Sequence, residues 1–133
     1  MTNEVFTIIN YRLGRAKEAI EEAEILLEKG YTNTFVNRLY YACFYTVSAL
    51  LLTKGLSSAK HSGVRSLFHK HFVKSGVVDV ELGQLYDRLF DNRQKGDYAD
   101  LVKFNLVEVT PWLEEAKKFV AGLEDVIIKK KGR

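Results

Sequence analysis

The sequence predicts an all-α protein: an up-and-down antiparallel bundle of about five helices, in a single domain over residues 1–128 with a basic tail at 129–133. Three observations predict it. Residues 39–52 carry no charge, no Gly and no Pro, so a helix there is apolar on nearly every side and needs cover on nearly every side. Elsewhere, apolar residues recur at three- and four-residue steps, the period of a helix with one buried face. The single Pro and the isolated Gly residues leave no strand-period segment and no long linker. Short connections suit antiparallel neighbours.

The first helix is expected over residues 1–29, with Thr2 or Asn3 as cap. Ile9, Leu13, Ala16, Ala19, Ile20, Ala23, Leu26 and Leu27 make its buried stripe, and Gly30 supplies the left-handed turn that ends it. Thr32 or Asn33 caps the second helix, the central one, which stops at Gly55. A third helix runs from Lys60 to about Lys74. Val64, Leu67, Phe68, Phe72 and Val73 lie on one face, with Lys60, Arg65, His69, Lys70, His71 and Lys74 on the other. Asp79 caps a fourth helix, with Leu82, Leu85, Tyr86, Leu89 and Phe90 inward and Gly96 near its end. Two starts compete for the last helix. Asn105 has Glu108 three residues on, a capping-box pattern, and Thr110-Pro111 has Pro at a favoured first position.

With 133 residues, 47% of them apolar and 28% charged, the chain can bury a real core. No stretch has the roughly 18 uninterrupted apolar residues of a membrane span. Glu4, Asn3 and Asn10 break any signal-peptide pattern, so the expected location is the cytoplasm, with no membrane partner. One cysteine excludes an internal disulfide, and Cys43 reads as a small buried hydrophobe. A net charge of +3 permits a nucleic-acid partner without arguing for one.

There is no phosphate-binding Gly loop and no zinc spacing. On a regular helix His69 and His71 point about 200° apart, so no metal and no cofactor is expected. Three polar groups stand out. Arg93 lies in a cluster with Asp87, Arg88, Asp91, Asn92, Asp97 and Asp100; it is either a charge-paired helix end or a guanidinium aimed at phosphate. His61, Arg65 and His69 follow one another at one-turn spacing on the basic side of helix three. That side is either a solvated face or an RNA-facing strip, where His moves protons and Arg or Lys steadies phosphate. Arg38 enters the apolar helix beside Asn37, and Asp87 or Asp91 is the expected counter-ion.

Three blocks in this order are the Asn37-Arg38-Leu39-Tyr40-Tyr41-Ala42-Cys43-Phe44 run, then Lys60-His61-Ser62-Gly63-Val64, then Leu89-Phe90-Asp91-Asn92-Arg93 followed by Asp97-Tyr98. Together they resemble the HEPN superfamily, in particular its small stand-alone prokaryotic branch of largely uncharacterised proteins. The resemblance implies a helical bundle that works as a homodimer within a toxin-antitoxin or defence-type system. It would bind RNA or a nucleotide and a partner of the nucleotidyltransferase type. The alternative it implies is a metal-independent ribonuclease toxin. The family's signature is an Arg followed, after four to six residues, by a His. Arg93 falls at the Arg position, but after four intervening residues stands Tyr98. The catalytic candidates are therefore Arg93, Asp97 and Tyr98, in a non-standard site. The RNA- or nucleotide-binding candidates are Arg38, Lys60, His61, Arg65, His69 and His71. The only literal match to the signature spacing, Arg65 with His71, lies on helix three and about 120° out of line.

Overall fold

In a computed structural model the described residues, 1–96 and 103–131, form helices joined by short loops and turns, with no strand among them. Helix α1 spans Asn3–Glu28, α2 Thr32–Leu52, α3 His61–Phe68, α4 Val80–Gly96, α5 Leu106–Val109 and α6 Trp112–Lys131. Between α3 and α4 the chain widens into one π turn, His69–Val73, closed by the Lys74 N–H donating to the His69 carbonyl at 2.8 Å. Asp97, Tyr98 and Asp100 lie outside the described residues.

The packing follows from α2. Phe35, Val36, Leu39, Tyr40, Ala42, Cys43, Val47, Ala49 and Leu50 are fully buried, on all sides of the helix. No single neighbour can cover so many directions. Helix α1 runs antiparallel along one side, and α6 and α4 cover the others. By length and composition α2 could cross a membrane, but 67% of that stretch is buried within the bundle. Around it Phe68, Phe72, Tyr86 and Phe119 complete an aromatic core. Burial pushes the Cys43 thiol far above its ordinary range, as for a small hydrophobe sealed from water.

The expected cap is found at α1 but not at α2. Thr2 caps α1, its hydroxyl accepting from the Val5 N–H at 3.2 Å. Neither Thr32 nor Asn33 caps α2: the residue before the helix is Tyr31, with no side-chain bond. Asn33 is spent elsewhere, its side-chain oxygen accepting from the Phe104 N–H at 3.1 Å and so pinning the chain that leads into α5. Both proposed starts of the last helix are used. Asn105 accepts from the N–H groups of Val107 and Glu108 and caps the single turn α5, and α6 begins just after Thr110-Pro111. The helix then continues through Lys129 and Lys130 to Lys131, with the Lys130 ammonium 5.8 Å from the Phe72 ring.

Candidate functional site

Helices α2, α3 and α4 converge where Tyr40 and Tyr41 emerge from the core. Tyr40 is fully buried and Tyr41 half-buried. A tyrosine in an apolar helix must find a partner for its hydroxyl. Tyr40 finds His61, the first residue of α3: Oη and Nδ1 are 2.6 Å apart. The His61 ring is also stacked on Phe44, 4.4 Å between centroids and 17° from parallel. Tyr41 finds Arg93 of α4, whose Nη1 donates to the Tyr41 hydroxyl at 3.3 Å. The Arg93 guanidinium lies 4.9 Å from the Tyr40 ring centre.

Gly63 explains how His61 is held. A side chain there would collide with Ser58. The Ser58 hydroxyl accepts from the Lys60 N–H at 3.2 Å, folding the loop over the first turn of α3. Without a Cβ at Gly63 the loop can close that tightly and present His61 to Tyr40.

The electrostatics of this cluster are one-sided. Arg93 has no carboxylate within ion-pair distance among the described residues, and its buried Nε has no hydrogen-bond partner. Burial, and then the charge of Arg93, lower the His61 pKa, so the imidazole is neutral near neutral pH. Burial raises the Tyr40 phenol to about 12, against the opposing pull of Arg93, so Tyr40 keeps its proton. The Tyr86 hydroxyl neighbours that of Tyr40 and perturbs it, yet makes no hydrogen bond of good geometry. Burial drives the Tyr86 phenol still higher.

Arg38 sits at the edge of the cluster, 5.0 Å above the Tyr41 ring. Its counter-ion is not Asp87 or Asp91 but Glu22 of α1, at 3.6 Å. The two aspartates are occupied by the basic side of α3. Arg65 lies 3.7 Å from Asp91 and 4.0 Å from Asp87, over the Phe90 ring. His69 Nε2 is 2.9 Å from Asp87 Oδ1. That side of α3 is thus charge-paired along half its length rather than a free cationic strip. Lys60 is exposed beside His61. His71 lies in the π turn, where its carbonyl accepts from Lys54 and Ser75. Among the described residues no group of three or more His, Cys, Asp or Glu side chains is placed to share a metal ion.

The structure therefore brings together Arg93, His61 and, through Tyr41, Arg38, and it ties Arg65 and His69 to α4 instead. Tyr40, Tyr41 and Phe44 are the site residues that sequence reasoning passed over as fold landmarks. The signal was present: two adjacent tyrosines in an apolar helix bring two hydroxyls that each need a partner.

The helical bundle thus gathers an arginine, a histidine and two tyrosines from three helices, with a cation and a proton-carrying ring side by side. The sequence matches the HEPN domain over residues 9–126, and the chain belongs to the HEPN family. It is 47% identical to a "UPF0332 protein" of Thermotoga maritima over 125 residues, 94% of this chain and 95% of that one. It is 34% identical over 116 residues to a protein of Methanocaldococcus jannaschii named "Putative toxin", covering 87% of this chain and 79% of that one. A second "Putative toxin" of that organism is 39% identical over 84 residues, 63% of each chain.

Proposed function

We propose that this chain is an RNA-directed toxin that cleaves the strand without metal, at a site built on Arg93 and His61. The observation that carries the reading is a guanidinium without a carboxylate partner, among the described residues, beside an imidazole kept neutral by burial and by that same guanidinium. Cleavage of RNA by its own 2′-hydroxyl needs a base for the hydroxyl proton, a counter-charge for the phosphorane and a proton for the departing 5′-oxygen. Arg93 suits the second task, since its planar fork binds two phosphate oxygens at once. His61 suits the first. With the proton on Nδ1, donated to Tyr40, the Nε2 lone pair is a base near neutral pH. The 5′-oxygen takes its proton from solvent. The toxin names of two relatives support the biological setting. In this reading the chain acts as a homodimer and is neutralised by a partner of the nucleotidyltransferase type. Sedimentation and co-expression pull-down test those two features.

A second reading is favoured by how firmly His61 is built in, stacked on Phe44 and bonded to Tyr40. The same cluster would then hold RNA or a nucleotide without cutting it. One experiment separates the two. Purified protein is incubated with a mixed RNA pool in excess chelator, beside Arg93→Ala, His61→Ala and His71→Ala. The nuclease reading expects cleavage slowed by about 10²-fold or more in the first two variants and unchanged in the third. RNA bound but left intact by folded wild-type protein selects the binding module. RNA neither bound nor cut sinks both.

A further inference from the structure

Along α3 and the π turn, His61, Arg65 and His69 stand one turn apart; on α4, Asp87 and Asp91 stand one turn apart, with Arg93 just beyond. Positions rising along the first meet positions falling along the second. His69 Nε2 donates to Asp87 Oδ1 at 2.9 Å. Arg65 Nη1 lies 4.0 Å from Asp87 and 3.7 Å from Asp91. His61 and Arg93 end the series, both against Tyr40: the His61 ring is 5.7 Å and the Arg93 guanidinium 4.9 Å from its centre. The first rungs join opposite charges, whereas the last sets a cation beside an imidazole whose protonation it opposes. We propose that Arg65, clamped by Asp87 and Asp91, is a positioning residue of the site: it fixes how α3 is slid and turned along α4, and so holds His61 at its distance from Arg93.

Apolar contact does not fix that setting. The Phe68 ring is 5.4 Å from that of Tyr86 and 6.0 Å from that of Phe119, which fastens the inner face of α3 to the core. Burial is non-directional, so it holds faces together without choosing their register. One guanidinium between two carboxylates a turn apart has one best position. The Arg65 guanidinium also lies 4.2 Å from the Phe90 ring centre, which bounds it from beneath. Gly83 lets the two elements come this close. A Cβ there would stand 3.1 Å from His69 Cε1 and 3.2 Å from the Val73 methyls, so the π turn lies directly on α4 one turn before Asp87. The pairs are part-exposed and add little to global stability; what they contribute is placement. The effect on cleavage rests on the nuclease reading above; the separation of His61 from Arg93 does not.

The test reads that separation directly. The His61 ring is titrated by NMR in wild type, Arg65→Met and Asp87→Asn/Asp91→Asn, beside RNA cleavage by each. Burial and Arg93 hold wild-type His61 below the ordinary histidine range, and it is expected to titrate higher in both variants. The double variant decides the cause by sign. Removing two negative charges by itself lowers a histidine pKa, so a rise there comes from movement away from Arg93 and from the core. kcat is expected to fall by about fivefold with KM held within about twofold, while thermal unfolding stays cooperative. Arg65→Glu combined with Asp91→Arg reverses the pair and is expected to recover both the titration and kcat, whereas each alone does not. A His61 titration that is unmoved in Arg65→Met, or lowered in the double variant, overturns the proposal. So does a rise with kcat unchanged. A raised KM that the reversed pair does not recover, with His61 unmoved, overturns it too, by making Arg65 a direct phosphate contact. RNA left intact by wild type, with the His61 titration shifted as expected, overturns the nuclease reading and leaves the brace standing.

Discussion

At the scale of single residues, the two buried tyrosines of the core make a controlled pair. Tyr40 and Tyr86 are both fully buried, yet only the Tyr40 hydroxyl has a hydrogen bond of good geometry, to His61. Tyr40→Phe leaves the His61 Nδ1 without its partner and is expected to cost about 1 kcal/mol. Tyr86→Phe removes a buried hydroxyl that makes no bond, so it is expected to be neutral or stabilising. Urea denaturation of the two variants beside wild type gives the comparison; equal losses would show that the Tyr86 hydroxyl is bonded after all. Arg38 shows why single-residue pairing was not legible in sequence. Its charge and its need for a partner were evident, but Arg65 and His69 also reach for the acids nearby. Arg65 and His69 hold Asp87 and Asp91, and Arg38 is left with Glu22. Which cation reaches which acid is a matter of angstroms in three dimensions. The Glu22 pair is half-exposed, so it contributes about 1 kcal/mol at most.

At the scale of elements, the loop into α3 is where the site is made. Gly63 lies in a helix, where Ala is better than Gly by about 1 kcal/mol. Here a Cβ would strike both the Oγ and the Cβ of Ser58, so rotating the serine is not enough and the loop must move. Gly63→Ala is therefore expected to destabilise by about 1–3 kcal/mol. In a Ser58→Gly background the same change should become neutral or stabilising. A thermal-denaturation double-mutant cycle measures that coupling, and additive effects would refute the close approach. The Lys60-His61-Ser62-Gly63-Val64 block could be read as a helix start from its residues, but the need for Gly there could not, because the colliding atom belongs to the loop before it. The π turn at His69–Val73 is of the same kind. Apolar spacing there fits a regular helix, and the extra residue in the turn appears only when α3 is packed. It takes His71 out of the register that a uniform helix would give it relative to Arg65.

At the scale of the molecule, the bundle stands on α2. Leu39 has no exposed surface. Leu39→Ala is expected to cost about 2–5 kcal/mol, read as a lower denaturant midpoint with the transition still cooperative. The fold also carries a pH dependence. Burial and Arg93 hold the His61 pKa below its ordinary value, so as pH falls through about 6.5 the unfolded chain takes up the proton first. The unfolded state then binds more protons than the folded one, and stability falls as pH falls. Above that range the contribution is fully present. Urea midpoints between pH 8 and pH 5.5 should fall more steeply for wild type than for His61→Gln; parallel curves would count against a half-buried imidazole with a lowered pKa.

The sequence by itself determined the helical class, the central helix and the rough positions of the elements around it. Those depend on local periodicity and on where Gly, Pro and capping residues fall. It also singled out Arg93 and His61, since an arginine and a histidine are conspicuous by type. Only the tertiary structure decided that these two meet, that Tyr40 and Tyr41 hold them, and that Arg65 and His69 are tied to carboxylates of α4. The reason is physical. Periodicity reports which face of a helix is buried, whereas a site depends on how far each helix is turned and slid against its neighbours. That setting comes from packing across the whole core and from close approaches such as Ser58 on Gly63.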